Sequence, residues 1–235
     1  MTNIQNFKLP TSWRGRDAKK DYEEVMNRKN EPAPIIPVQT NKLDTNDFIY
    51  VPSINLYIAK ERTHLGKNWF DCHKLLQQDN QRMLIIPEFI ELLKYTKENH
   101  KDIYDEITGV KNPRRAEWID ADFKVKNKKL YINYNHVLDL NGNLIPKNSE
   151  ILDENTLMED KSPGISLEDY LNSDYTKQGF PNKKVSSEYL YYWYPRSNNN
   201  SVVRFDAGSV GAFLYCDGDP SLASPDLGVR AVRRE

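Results

Sequence analysis

Acidic and aromatic side chains near the C-terminus are the residues of this chain best suited to chemistry, and that chemistry is recognition. Phe213 and Tyr215 can each bury a large ring against a partner, as the aromatic anchors of binding surfaces do. Carboxylates accompany them in the sequence, at Asp206, Asp217, Asp219 and Asp226. An acidic rim of this kind predicts a partner that is basic or rich in hydrogen-bond donors.

The alternate carboxylates of Asp217 and Asp219 match the start of a calcium-binding loop, but the remaining ligands and the distal Glu of an EF-hand do not follow them. The four histidines also lack metal-ligand spacing; they are His64, His73, His100 and His136. Cys72 and His73 are neighbours, and neighbours in a helix point different ways. The sequence therefore predicts no metal and no cofactor, with each histidine a core or surface residue.

Motifs of common enzyme classes are absent from the sequence, which has no G-x-S-x-G, no Walker-type loop and no dinucleotide-binding glycine pattern. Cys72 and Cys216 are far apart and predict reduced, buried thiols rather than a disulfide. The net charge is -1 and the basic clusters are short, so nucleic acid is not an expected partner. We interpret the chain as a binding protein rather than an enzyme.

The 235 residues are enough for one large domain with an N-terminal extension. Residues 1–42 are first charged and then proline-rich, which is typical of an arm or linker, so the domain is expected to span residues 43–235. Mean hydropathy is -0.76, and no apolar run approaches the about 20 residues of a membrane span. The N-terminus lacks the apolar stretch of a signal peptide, which predicts a cytoplasmic location by default, with surface display an open alternative.

Helix and strand signals along the chain predict an α+β fold. Alternating residues on either side of Pro52 predict two strands, and residues 118–125 and 130–138 predict two more. Asn68 can cap a helix with Trp69, Cys72, His73 and Leu76 on its buried face, and Pro87 can begin a second helix with an apolar stripe. Residues 149–162 have turn and acid-rich character without a clear period. We expect two main helices flanking twisted, mostly antiparallel sheets.

The segment 186–196, SSEYLYYWYPR, carries five aromatic residues in six positions. This composition predicts a strand buried on one face, with Leu190, Tyr192 and Tyr194 in the core. A stacking platform for sugars or bases is the alternative interpretation.

Residues 201–234 contain no Lys, Glu, Gln, Met or Trp, although the rest of the chain uses all five. These five types share a genetic property. None can be reached by substituting bases at the first two positions of an asparagine codon, AAC or AAT, whereas the other fifteen amino acids can. The window therefore has the composition expected of DNA in which template adenines were randomised.

This window resembles the variable region of diversity-generating retroelement target proteins. In that family an error-prone reverse transcriptase copies a template repeat, misreads its adenines and overwrites the end of a gene whose product has a C-type lectin fold. The closing segment Leu227–Arg234, LGVRAVRR, is similar to the invariant end of such proteins and to the last strand of formylglycine-generating-enzyme-like domains. The resemblance implies a C-type-lectin-like fold and a display protein for an unknown ligand, with a protein as the expected ligand.

The window divides into two interleaved sets if its backbone is extended. One set is small or apolar and is expected to hold the fold: Phe205, Ala207 and Ser209, then, after a bulge or turn at Gly211, Ala212, Leu214 and Cys216. The other set has no common packing logic and is expected to be the variable, ligand-binding surface. Its residues are Asp206, Gly208, Val210, Phe213, Tyr215, Asp217, Gly218, Asp219, Ser221, Leu222, Ala223, Ser224 and Asp226. In the final strand, Arg230 and Arg233 can pair with carbonyls or acids, with a positive binding patch as the alternative.

Two other functions compete with ligand display. An oxidative enzyme of the formylglycine-generating type uses a pair of cysteines near the C-terminal part of its fold, whereas this chain has only Cys216 there. A fixed carbohydrate-binding module could instead use the aromatic strand of Tyr189–Tyr194. Typical C-type lectins supply calcium and sugar contacts from E-P-N or Q-P-D and W-N-D motifs, which this sequence lacks, so the resemblance does not imply calcium-dependent sugar binding.

Overall fold

The computed structural model describes residues 45–172, 174–197 and 200–233. Within them the chain forms ten strands: β1 Phe48–Val51, β2 Leu56–Thr63, β3 Arg115–Lys126, β4 Lys129–Leu138, β5 Leu144–Ile151, β6 Lys161–Ile165, β7 Leu190–Trp193, β8 Val202–Gly208, β9 Gly211–Gly218 and β10 Leu227–Arg233. The same residues form four α-helices: α1 Trp69–Gln78, α2 Ile86–Asn99, α3 Lys101–Thr108 and α4 Leu167–Leu171. The arm predicted for residues 1–42 lies outside the described residues.

All ten strands belong to one sheet, in the order β1-β2-β10-β3-β8-β9-β7-β6, with β4 pairing to β3 and β5 to β4. Most neighbours are antiparallel; β10 runs parallel to β3, and β7 runs parallel to β9. The predicted α+β class with a mostly antiparallel sheet is therefore confirmed. The final strand β10 lies inside the sheet, between β2 and β3, rather than at an edge.

Helices cover both faces of this sheet. The Asn68 side chain accepts a hydrogen bond from the Asp71 amide at 2.9 Å and caps α1, as predicted. Trp69, Cys72 and Leu76 of α1 pack in one core cluster with Val202, while Phe89, Ile90 and Leu93 of α2 pack in a second cluster with Val203. Successive residues of a strand point to opposite faces, so the two helices cover opposite sides of β8.

A buried ionic network holds β10 in place. The Arg230 side chain is 1% exposed and donates to Glu117 Oε2 at 3.0 Å, to Glu106 Oε2 at 3.0 Å and to the Ala59 carbonyl at 3.0 Å. Arg115 donates to the other Glu117 oxygen at 2.9 Å. This confirms the interpretation that Arg230 pairs with acids and carbonyls, and it excludes this side chain from a surface patch. The Arg233 guanidinium instead lies over the Phe48 ring, at 4.9 Å.

Two strands occupy a segment in which no regular structure was expected. β5 continues to Ile151, and β6 begins at Lys161. β5 pairs with β4 alone and has hardly any buried side chain, so its sequence has no apolar alternation to reveal it. The aromatic segment is strand β7, with Leu190 and Tyr192 fully buried as predicted, whereas Tyr194 follows the strand and is half-buried.

Both cysteines are free thiols in the core, as predicted. The histidines were predicted to be core or surface residues, and His73 of α1 and His136 of β4 are buried; nothing in the sequence indicated that these two meet at Asp120 of β3 inside the protein. None of the described helices combines the length and apolar character needed to cross a membrane.

Candidate functional site

Strands β8 and β9 form a hairpin whose two-residue turn is Ser209 and Val210, with Gly208 paired to Gly211. Gly211 has a φ of 136°, a conformation that other residues rarely adopt, and it provides the phase change predicted at this position. The expectation that Ser209 belongs to the frame is wrong, since it is exposed in the turn. Val210 is 56% exposed, on the side expected for a variable residue.

The core side of this hairpin carries the predicted frame. Phe205 and Ala207 of β8 are buried, as are Ala212, Leu214 and Cys216 of β9. Burial raises the pKa of the Cys216 thiol well above its usual range, which makes it an unreactive group.

The opposite side of the sheet carries a row of stacked rings, which we call the aromatic ladder: Tyr191 and Trp193 from β7, and Phe213 and Tyr215 from β9. The parallel register pairs Tyr191 with Phe213 and Trp193 with Tyr215. Ring centroids lie 5.0 Å apart in the first pair and 4.4 Å apart in the second, with interplanar angles of 23° and 19°. All four side chains are half-buried, so each ring keeps part of its surface in solvent.

Tyr215 has a neighbour on each face of its ring. Trp193 stacks on it from β7, and the Arg204 guanidinium lies over the ring at 4.4 Å from β8. β9 lies between β7 and β8 in the sheet, so these two neighbours stand on opposite sides of Tyr215. Desolvation raises the pKa of the Tyr215 phenol, and the ring presents an edge and a hydroxyl group rather than an open face.

Asp206 corrects the sequence interpretation. It was expected to project into solvent, yet its side chain is buried beneath two arginines, with Arg204 Nε 3.4 Å from one carboxylate oxygen and Arg114 Nη1 3.3 Å from the other. Desolvation raises its pKa to about 6, against the opposing effect of the arginines. Asp206 therefore contacts Arg204, which lies over the Tyr215 ring, and does not contact solvent.

Two glycines that were expected on the variable surface, Gly208 and Gly218, have little space for a side chain. A Cβ atom on Gly218 would approach the Val202 carbonyl oxygen to 2.9 Å, so backbone rather than a movable side chain excludes other residues there. A Cβ atom on Gly208 would approach the Phe213 ring to 3.0 Å. Gly218 thus belongs to the frame, whereas a side chain at position 208 requires the Phe213 ring to shift by a few tenths of an ångström.

The predicted acidic rim is balanced by arginines. Arg114 Nε lies 2.8 Å from Asp226 Oδ2, and Arg196 Nε lies 3.7 Å from Asp217 Oδ2. Desolvation raises the pKa of Asp217, while its arginine neighbour opposes the shift. The expectation of a basic partner was based on carboxylates without countercharges; Asp217 and Asp226 have arginine countercharges, so these two give it little support.

The loop 219–226 continues the surface beyond β9. Asp219, Ser221 and Ala223 are exposed, while Leu222, Ser224 and Asp226 are half-buried. Asp219 Oδ1 accepts hydrogen bonds from the Ser221 amide at 2.8 Å and from its hydroxyl group at 2.7 Å, so this carboxylate already serves the turn. The Pro220 carbonyl accepts from the Trp69 amide at 3.1 Å, which fixes the loop to the start of α1.

A shallow hollow of about 550 Å³ separates this loop from the exposed Phe70 side chain. Asp217, Asp219 and Ser221 line it. The hollow joins the end of β9 to the loop, so the residues of the two segments that were predicted to vary face one continuous surface.

Two members of the aromatic ladder, Tyr191 and Trp193, are missing from the predicted ligand-binding residues. The neighbouring Arg204 is missing from them as well. Placing Leu190 and Tyr192 in the core already implies that Tyr191 and Trp193 point to the other face. Their meeting with Phe213 and Tyr215 depends on the parallel pairing of β7 with β9, for which the local sequence holds no signal.

No protein-family model, curated protein or solved structure matches this chain.

Proposed function

We propose that this chain is a non-catalytic display protein with a C-type-lectin-like fold, whose residues 201–234 are diversified by adenine-directed mutagenic copying. Its ligand-binding surface consists of the exposed and half-buried positions of β9, the preceding turn and the following loop. These positions are Val210, Phe213, Tyr215, Asp217, Asp219, Ser221, Leu222, Ala223, Ser224 and Asp226. The proposal is limited to recognition of a ligand, and a protein is the expected ligand.

One observation carries the proposal: the segment that lacks five amino-acid types contains a strand with one buried side and one partly exposed side. Within the window that lacks Lys, Glu, Gln, Met and Trp, the buried residues of β9 are small or apolar. The partly exposed residues on the other side of the same strand are Phe213, Tyr215 and Asp217, which have no common packing property. A display surface requires this arrangement, in which one side of a strand maintains the fold and the other side can vary.

A protein ligand fits the shape and composition of this surface. The ladder provides several aromatic rings with polar tips, which are enriched in binding hot spots, and the rim provides paired charges. Fixed Tyr191 and Trp193 support variable Phe213 and Tyr215, so rigid aromatic groups are held in place before binding. Such preorganisation lowers the entropic cost of association.

The two competing functions receive less support. A carbohydrate module would stack sugars on an open ring face, yet Tyr215 has Trp193 on one face and Arg204 on the other. An oxidative enzyme that used Cys216 would need an accessible thiol, whereas this one is 0% exposed.

The neighbouring DNA provides the decisive test. We expect a near-copy of the codons for residues 200–234 that differs almost only at adenines, beside a reverse-transcriptase gene. If genomic sequence on both sides of the gene holds neither element, diversification is excluded.

A codon library tests the display surface on the protein itself. Positions 213, 215, 217 and 221 are randomised with codons that begin with any two bases and end in C or T. A matched library randomises the buried positions 212, 214, 216 and 227 in the same way. We expect most members of the first library to stay folded in a protease-resistance assay and most members of the second to unfold. Equal survival of the two libraries would contradict the proposed division of the strand.

A further inference from the structure

His73 of α1, Asp120 of β3 and His136 of β4 converge inside the protein, away from the aromatic ladder. One potential ligand atom from each lies within 4.8 Å of the others. His73 Nε2 is 3.6 Å from Asp120 Oδ1, and His136 Nδ1 is 2.5 Å from the same oxygen. The three side chains are almost fully buried, with exposures of 0%, 1% and 4%.

Among the residues that the structure describes, His73 has no hydrogen-bond partner at either ring nitrogen. Buried polar groups are nearly always hydrogen-bonded, and leaving one without a partner costs about 1–3 kcal/mol. A buried imidazole without a hydrogen-bond partner has a ring nitrogen available to an ion. Neutral imidazole is the form that binds metal ions.

Neighbouring groups orient the other two donors. The His136 amide donates to Asp120 Oδ2 at 3.0 Å, and His136 Nε2 faces Asp122 Oδ1 at 3.7 Å. A carboxylate beside the second nitrogen of a histidine is the usual outer partner of a metal-bound imidazole. Asp122 is held in turn by Asn133, whose side-chain nitrogen donates to it at 2.6 Å.

The strand that carries both carboxylates is irregular at this point. Pairing of β3 with β8 shifts register between Ile119 and Asp122, so Asp120 lies in the interruption. Bulges are common next to functional sites, because they re-aim a side chain. Trp69 covers the cluster, packing edge-on against His73 at 4.3 Å and His136 at 4.9 Å.

We propose that His73, Asp120 and His136 bind one divalent metal ion, with Zn²⁺ the best match, and that this ion joins α1 to the sheet. Two imidazole nitrogens and one carboxylate oxygen are donors that zinc accepts at about 2.0–2.2 Å, and three protein donors leave one tetrahedral position for water. Metal binding at His136 Nδ1 requires that nitrogen to be free of a proton, so the neutral ring carries its single proton on Nε2, which faces Asp122. This site replaces the sequence-based expectation of no metal.

Two hollows border the cluster. One, of about 370 Å³, is lined by Asp120, and another, of about 380 Å³, is lined by His136. The donors themselves are almost fully buried, so loading during folding is the direct route for an ion.

The full chain, unfolded and refolded with Co²⁺ or Zn²⁺ and then freed of excess metal, provides the test. We expect one equivalent of bound metal and, for Co²⁺, the strong visible absorption of four-coordinate cobalt. His73→Gln should remove both signals. The matched control is His100→Gln, at a half-buried histidine far from the cluster in sequence and without a side-chain capping bond, and it should bind like the wild type.

A wild-type chain that retains no stoichiometric metal after refolding would overturn the proposal, as would His73→Gln and His136→Gln variants that bind as well as the wild type. If these variants do not fold, the proposal is tested on the wild-type protein alone. Its melting temperature must then rise with added Zn²⁺ and fall back with a chelator, because a ligand that binds only the folded state stabilises it. An unchanged melting temperature would overturn the proposal.

Discussion

Trp193 and Tyr215 stack with their ring centroids 4.4 Å apart, and only Tyr215 belongs to the window that lacks tryptophan. Trp193 lies in β7, which runs parallel to β9 and fixes the position of its neighbour. The pair joins a residue outside the proposed diversified segment to one within it. A new side chain at position 215 would therefore still meet an indole ring on one side.

Replacement of Tyr215 should cost much less stability than replacement of its neighbour Leu214. Tyr215→Ala removes a half-buried ring and its stacking, which amounts to about 1–2 kcal/mol. Leu214→Ala creates a cavity in the core, at a cost of about 2–5 kcal/mol. Urea unfolding of the two variants measures the difference. Equal losses would show that the outer side of β9 is as essential to the fold as its inner side.

Asp206→Asn should stabilise the protein above pH 6. The pKa of Asp206 is raised to about 6 in the folded state, so between about pH 4 and 6 the folded chain holds a proton that the unfolded chain has released. Wild-type stability must therefore fall as the pH rises through this interval. A shift of this size corresponds to up to about 3 kcal/mol at pH 7.5, and the gain should vanish below pH 4.

Urea unfolding of Asp206→Asn and wild type across pH 4–8 checks this prediction. Asp219→Asn is the control: hydrogen bonds from Ser221 lower the pKa of Asp219, so its contribution to stability is constant above about pH 4 and its removal should not change the slope of the profile. Parallel profiles for wild type and Asp206→Asn would mean that Asp206 is not desolvated.

Arg230→Met should be strongly destabilising, because it leaves Glu117 buried with a single remaining arginine, Arg115. Removal of one partner from a buried ion pair typically costs about 3–5 kcal/mol. Arg233→Met is the matched change on the same strand; Arg233 is half-buried and stacks on Phe48, so we expect a loss below about 1 kcal/mol. Thermal unfolding of both variants separates the outcomes. Similar melting temperatures would contradict the role given to the buried network.

Gly208 and Phe213 should show coupled effects on stability. An added methyl group at position 208 meets the Phe213 ring at 3.0 Å, so Gly208→Ala alone forces that ring to move. In the Phe213→Ala background the same change should be tolerated. A double-mutant cycle should give a coupling energy of about 1 kcal/mol, whereas additive effects would show that the two positions vary independently.

Local signals in the sequence account for most of the helices and for the buried side of the hairpin. Asn68 and Pro87 mark helix starts that need no distant partner, and the spacing of Leu214 and Cys216 already indicates one buried face. β5 could not be predicted, because an exposed strand that pairs with β4 alone shows no apolar alternation.

The candidate surface was only partly predictable, because burial there depends on other strands. Asp206 sits in the register expected of an outward residue, but Arg204 and Arg114 close over it. Likewise, His73 and His136 are 63 positions apart (136 − 73) and meet only because α1 packs against the sheet beside β4. Contacts between distant segments of this kind have no signature in local spacing.

Residues 227–233 form a strand between β2 and β3, so completion of the sheet depends on residues that follow the positions proposed to vary. A chain that stops before residue 227 leaves two inner strands without a neighbour, and unpaired strands invite aggregation and degradation. Correctly folded protein is therefore evidence that translation passed through all the positions proposed to vary. The codons proposed for that segment end in C or T and cannot become stop codons, so diversification and quality control of the product are compatible.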